Sequence, residues 1–321
     1  MKVGLFTVLF GDKPLTELLQ YVAEQGCGAV ELGAGNYPGS PHIKVAELLK
    51  SAPKRIELLS EIKDFGLEIS ALSVHGNPLH PNKKIATAHH NVHRDAVQLA
   101  EKLNVQTVVN FSGCPGGAPG DKQPNWATCP WPPEYLEVLD YQWNKVAIPY
   151  WKAESKFAKA HGIRIAFEAH PGFLVYNPYT MLKLRENCGN NLGANFDPSH
   201  FWWQGIDPLQ AVRALKGAIY HVHAKDTRID PANMAFNGGL DTRHYGNEAE
   251  RTWIFRTVGY GHGESWWRDF VSVLRTYGYD GALSIEHEDS LMTTKEGFEK
   301  AAAFLRKLVI NEPKPGKMHW A

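Results

Sequence analysis

The chain has 321 residues, 43% of them apolar and 21% charged, a balance that suits one large globular domain or two ordinary ones. Lysine plus arginine and aspartate plus glutamate each total 34, so net charge supplies no pull toward nucleic acid or an anionic membrane. No apolar run approaches the roughly 20 residues of a membrane helix, and the start reads as a strand rather than a signal peptide. The scattered Cys27, Cys114, Cys129 and Cys188 form no disulfide framework and point to a reducing cytoplasm.

Short β-rich runs alternate with longer helical patterns. Val3 to Leu9 reads as a strand. A helix follows from Pro14 to Gln25, with proline in its first turn and Gly26 as its C-cap. Gly28 to Leu32 is the second strand. A helix over Arg55 to Phe65 leads to a third strand, Glu68 to Val74, which ends at His75. Ile85 to Leu103 is a long amphipathic helix, and Val105 to Phe111 the fourth strand. Tyr141 to His161 is helical before strand five, Ile163 to Glu168. Pro178 to Asn187 precedes strand six, Leu192 to Asp197. Pro208 to Leu215 precedes strand seven, Ala218 to His223, and Trp266 to Tyr277 precedes strand eight, Ala282 to Glu286. Thr293 to Val309 is the last helix.

Eight strands in alternation with eight helices imply right-handed crossovers and a parallel sheet. That number of units in this length favours a closed (β/α)8 TIM barrel over an open doubly wound sheet. The dinucleotide-binding alternative lacks its glycine signature, since Gly33-Ala-Gly35 has no third glycine in step and opens no helix. The expected organisation is a single barrel over residues 1–321, with loop insertions at about 112–140 and 227–258 and a tail over 311–321. Both insertions follow strands on the catalytic face. Trp126, Trp131, Tyr135 and Trp253 mark them as packed lids.

Four strands end on an ionisable residue: Glu168 in Ala-Phe-Glu-Ala-His170, Asp197 in Asn-Phe-Asp-Pro-Ser-His200, His223 in His221-Val-His-Ala-Lys225-Asp226, and Glu286 in Ser-Ile-Glu-His. A charge buried at a strand end is costly unless paired. Four on consecutive staves of one barrel imply a common partner. Three carboxylates and an imidazole suit one divalent metal, Mn2+ foremost, with Mg2+, Co2+ and Zn2+ as alternatives.

With these motifs the chain resembles the sugar phosphate isomerase/epimerase family, the xylose-isomerase-like barrels. The resemblance covers nearly the whole sequence. It rests on Phe-Glu168-Ala-His170-Pro-Gly, Asp197-Pro-Ser-His200, His221-Val-His223-Ala-Lys225-Asp226 and Ser-Ile-Glu286, with a weaker Val258-Gly259-Tyr-Gly261-His-Gly263. It implies that Glu168, Asp197, His223 and Glu286 hold the metal, that His200 touches substrate, and that Glu168 and Glu286 double as acid and base.

Other residues near the strand ends complete the expected site. His170, two residues past Glu168, points to the same mouth if the strand stays extended, and can act as an independent general base. A similar Glu-x-His pair occurs in the family's enzymes that eliminate across 3-keto-glycosides, including C-glycoside-cleaving ones. Lys225 and Asp226 read as substrate-binding, Lys225 polarising a carbonyl or holding an anion; the other reading is a mutual salt bridge. Trp203 offers an indole face to a sugar ring or packs beneath a helix. His75 is a ligand candidate, Glu31 an orienter of His75 or of a substrate hydroxyl, and His221 a core residue behind His223. His89 and His93 read as a solvated helix face. Cys114 and Cys129 share a loop, but no CxxC companion supports a metal site there.

The expected activity is a metal-dependent sugar isomerase or epimerase, removing a proton next to a carbonyl through a metal-stabilised enediolate. The alternative is a lyase or dehydratase on a keto-sugar, a 3-keto-glycoside or an inosose, with His170 as base. A non-catalytic sugar-binding barrel subunit is the third reading. The expected partner is a small-molecule sugar or sugar derivative, with neither nucleic acid nor membrane. A homo-oligomer or a small partner subunit stays open.

Overall fold

Alternating apolar residues drive each barrel strand, one face toward the barrel axis and the other toward the helices. In the computed structural model, which describes residues 1–313 and Gly316, the elements follow in order. Strand β1 (Lys2–Phe6) leads to helix α1 (Leu15–Glu24), β2 (Ala29–Gly33), α2 (Val45–Lys50), α3 (Ala52–Asp64) and β3 (Glu68–Ser73). Then come α4 (Lys83–Leu103), β4 (Thr107–Asn110), α5 (Glu134–Asp140), α6 (Ile148–Ala160), β5 (Arg164–Glu168) and α7 (Pro178–Cys188). Strand β6 (Leu192–Phe196), α8 (Ser199–Trp202), α9 (Pro208–Ala214) and β7 (Ile219–Ala224) follow. The chain continues through β8 (Asp226–Ile229), α10 (Pro231–Asn237), β9 (Trp253–Arg256), α11 (Glu264–Thr276), β10 (Ala282–Ile285) and α12 (Thr294–Arg306).

Eight parallel strands close in the order β1-β10-β7-β6-β5-β4-β3-β2, the (β/α)8 barrel that strict alternation implies. Helix starts follow local rules. Asn82 caps α4, Asp207 caps α9, Thr293 caps α12, and Asn177 with Thr180 forms a capping box on α7. Between sheet and helices lie large rings. Phe167 on β5 meets Trp151 of α6 edge to face at 4.5 Å, while its neighbour Glu168 turns to the axis. On the axial side sit small residues, Ala71, Val109 and Ala166, two positions below Ser73, Phe111 and Glu168.

Both insertions have internal structure that no periodic pattern in the sequence announces. Residues 112–133 are held by Gln142, whose amide donates to the Asn125 carbonyl at 2.5 Å, and by the Trp126 indole donating to the Phe173 carbonyl at 3.0 Å. The helix read from Tyr141 starts at Glu134 and passes through a π-helical stretch, Tyr141–Ala147, before α6. Trp131 and Tyr135 do not pack: they are 74% and 41% exposed, whereas Trp126 is half-buried. The second insertion is an antiparallel pair, β8 with β9, carrying α10 at its tip. Trp253 of β9 stacks on Trp203 at 4.7 Å. No helix of the described residues is long and apolar enough to cross a membrane. Pro315 and Trp320 of the expected tail lie outside the described residues.

Candidate metal centre and active site

The C-terminal ends of β5, β6, β7 and β10 face one mouth, and each delivers one residue of the expected cluster. Glu168 ends β5, Asp197 follows β6, His223 lies in β7, and Glu286 follows β10. Ligand atoms from all four lie within 4.8 Å of one another. His223 Nδ1 is 3.1 Å from Glu168 Oε2 and 3.0 Å from Glu286 Oε2. Asp197, His223 and Glu168 are buried, and the Glu286 side chain is 17% exposed.

These residues fit a divalent cation. Three of the converging atoms, Asp197 Oδ2, His223 Nδ1 and Glu286 Oε2, are buried and make no hydrogen bond. Lys225 Nζ approaches Asp197 Oδ2 at 3.1 Å and Glu286 Oε2 at 3.0 Å, ion-pair distances without hydrogen-bond alignment. Buried polar atoms normally find partners, so three orphans at one point mark a place for a ligand. Carboxylate oxygens with one imidazole suit a hard or borderline cation.

Neighbouring histidines and Lys225 keep the carboxylates ionised. Burial opposes ionisation of Glu168, but His200, His223 and His75 outweigh it and hold its pKa well below the ordinary value. His200 Nε2 lies 3.2 Å from Glu168 Oε1, and His75 Nε2 lies 3.0 Å from Oε2. Asn195 donates to the same Oε2 at 3.2 Å; its own carbonyl oxygen meets His221 Nδ1 at 3.0 Å. Glu286 is likewise held low against burial, by Lys225 and His223. Burial also opposes the charge on Lys225, yet Asp197, Glu286 and Glu288 raise its pKa well above the ordinary value. Lys225 pairs with these three carboxylates, Glu288 at 2.8 Å, and not with Asp226.

A cavity of about 260 Å³ opens over the cluster, walled by Phe6, Tyr37, His75, Phe111, His170, Lys225, Glu286 and Glu288. His170 therefore reaches the mouth. Its Nδ1 lies 2.6 Å from the Pro171 carbonyl oxygen, which only accepts, so Nδ1 carries the proton. Burial, reinforced by nearby His200, lowers its pKa to about 3 and keeps the ring neutral, with Nε2 as its lone-pair atom.

Other expectations are corrected. Asp226, expected to bind substrate, has its oxygens filled from within. Oδ1 accepts from Thr227 N and His262 Nδ1, and Oδ2 from Gly259 N, Gly261 N, His262 N and the Trp267 indole. The glycine-rich turn at 259–263 is thus a nest around the protein's own carboxylate. A Cβ at Gly261 would run into the Thr227 carbonyl. Trp203 is buried against Trp253 and lies outside the cavity over the cluster, lining another cavity with Trp126, Tyr176 and Gln204. His89 and His93 are not a solvated face: His89 accepts from Asn77 N at 2.7 Å, and His93 is fully buried beside Glu154. Cys114 and Cys129 are both free thiols, one buried and one exposed.

Asn195 and Glu288 join the site without any pattern that announces them, and Glu31 has a partner other than the one expected. Glu31 neither orients His75 nor faces a substrate; both its oxygens lie 3.0 Å from His223 Nε2. Its place as the one charged residue within β2 was the signal in the sequence.

This barrel, with its ionisable strand ends, is that of the xylose isomerase-like TIM barrels, and the chain belongs to that family, whose model matches residues 19–308. Among its relatives is the uncharacterized protein YfiH of Bacillus subtilis (strain 168). The two are 39% identical over 312 residues, covering 96% of this chain and 99% of that one. Solved structures share the fold. The probable 3-DHS dehydratase AsbF of Bacillus anthracis matches with TM-score 0.65 and 18% identity, covering 95% of this chain and 99% of that one. A D-tagatose 3-epimerase-like protein matches with TM-score 0.63 and 22% identity, covering 96% and 98%. IolI, solved with a bound zinc, matches with TM-score 0.65 and 17% identity, again covering 96% and 98%. Epimerases and dehydratases both stand among the neighbours.

Proposed function

We propose that the protein is a divalent-metal-dependent isomerase or epimerase that removes and returns a proton at the carbon next to the carbonyl of a sugar or sugar derivative. The observation that carries this reading is the meeting of Glu168, Asp197, His223 and Glu286 with three orphaned ligand atoms beneath a small cavity. A bound divalent ion, Mn2+ first and Mg2+, Co2+ or Zn2+ next, supplies Lewis-acid chemistry that offsets negative charge developing on a substrate oxygen. Glu168 and Glu286 are the proton-transfer pair. They rise from β5 and β10, separated in the barrel by β6 and β7, and so reach the substrate carbon from different parts of the rim. His200 and His75 fix the Glu168 carboxylate, and Lys225 fixes Glu286. Lys225 and His75, on the cavity wall, are also placed to meet substrate hydroxyls, and His200 sits behind that wall against Glu168 and His170. The D-tagatose 3-epimerase-like neighbour and the zinc held by IolI support the reading.

A second reading, a lyase or dehydratase, is favoured by His170: a neutral ring at the cavity wall with its Nε2 lone pair free of the Pro171 bond. Inosose dehydratase of Mesomycoplasma hyopneumoniae (strain J) is a relative at 24% identity over 322 residues, covering 96% of each chain. The discriminating experiment incubates Mn2+-loaded protein in D2O with ketoses, inososes and 3-keto-glycosides and reads products by NMR. An isomer of the substrate, deuterated at one carbon, is expected. Loss of water or of an aglycone would replace the lead reading by the second. His170→Ala then tests the base. The lead reading expects at most a modest loss of turnover, and the second expects about 100- to 10,000-fold.

A further inference from the structure

We infer that Glu31 is a positioning residue that presents His223 to the metal; this rests on the metal reading of the site. Glu31 is completely buried, and every donor around it comes from a different strand. Ser73 of β3 donates to Oε1, and Ser284 of β10 donates to Oε2 at 2.6 Å. His223 Nε2 sits 3.0 Å from both oxygens. The two serines fix the carboxylate against rotation, and the carboxylate fixes the ring. Phe6 of β1 stacks on the same ring at 5.4 Å and sets its plane. A carboxylate accepts only, so the Nε2 proton lies toward Glu31. Nδ1 faces the carboxylates of Glu168 and Glu286, where it has no hydrogen bond and where a bound cation would take the place of any proton. A histidine ligand oriented by a carboxylate on its far nitrogen binds metal more tightly than a free one.

The same atoms do not make a separate metal site of Glu31, His221 and His223. His221 is engaged elsewhere, Nδ1 with Asn195 Oδ1 at 3.0 Å and Nε2 with Ser70 Oγ at 3.2 Å.

The test titrates Mn2+ and Zn2+ calorimetrically into chelator-stripped full-length protein. Glu31→Ala is expected to weaken both ions about 10- to 100-fold. Glu31→Gln keeps an acceptor for Nε2–H and should weaken them less than tenfold. A purely structural role would lower the melting temperature of the stripped protein and leave affinity unmoved. Affinity in Glu31→Ala within twofold of the parent, while Asp197→Asn abolishes binding, overturns the role of Glu31 and spares the metal reading. Failure of the parent to bind either ion overturns both. Should Glu31→Ala not fold, nitrogen NMR of histidine-labelled, Zn2+-loaded parent decides: a proton on Nε2 of His223 is expected, and a proton on Nδ1 overturns the inference.

Discussion

Asp197 and Asp226 are both completely buried aspartates near the ends of neighbouring barrel strands, yet the protein treats them in opposite ways. Asp226 receives six donors: four backbone N–H groups, the His262 ring and the Trp267 indole. Asp197 receives one hydrogen bond, from Ser199 N at 2.9 Å, and its Oδ2 has none. Burial by itself therefore does not mark a functional carboxylate. What separates the two is whether the fold fills the oxygens or leaves them for a ligand. A filled carboxylate ties the hairpin of β8 and β9 to the barrel; an unfilled one waits beside Glu168, His223 and Glu286.

The contrast can be broken most directly at Asp197. Asp197→Asn, or Glu168→Gln, should abolish metal retention by elemental analysis while leaving a cooperative melt. Full metal occupancy in both variants would dissolve the difference between the two aspartates. The mirror experiment is Asp226→Asn. It should keep metal stoichiometry but lose about 3 to 5 kcal/mol in urea unfolding, because several buried donors lose a charged acceptor. A variant that loses metal but keeps its stability would reverse the assignment.

His93 sharpens the same contrast at smaller amplitude, since its buried Nε2 is also without a hydrogen bond, 3.9 Å from Glu154, but lies far from any converging ligand set. Burial lowers its pKa to about 4, against an ordinary 6.5. Between those values the unfolded chain binds more protons than the folded one. The stabilisation is therefore complete above pH 6.5 and fades as pH falls toward 4, by about 3 kcal/mol. His93→Gln should flatten the stability–pH curve in that window without changing metal binding. An unchanged slope would show that the orphaned Nε2 is protonated at little cost.

Some of this was legible in the residues. Strict alternation of strand and helix patterns defines the barrel, because helices of that length between parallel strands leave few ways to close a sheet. The strand ends Glu168, Asp197, His223 and Glu286 read as one set for the same reason. A charge that ends an apolar strand points to the catalytic face. Asp226 and Lys225 show where that logic stops. They are adjacent and both charged, and sequence cannot say that one is wrapped by a turn 33 to 36 residues downstream while the other joins Asp197, Glu286 and Glu288. The stacking of Trp203 on Trp253 is hidden for a similar reason, since the two lie across an insertion with no periodic pattern.

What the sequence by itself determined, then, is the number and order of barrel units and which ionisable residues gather at their ends. Both follow from local periodicity and from the cost of burying charge. Tertiary structure alone decided which oxygens are satisfied. Glu31 reaches His223 across 192 positions of chain, and only barrel closure, which leaves β1 and β10 alone between β2 and β7, makes that pair. Partners so distant in sequence leave no periodic trace, because the hydrogen bond that joins them depends on the register of the whole sheet.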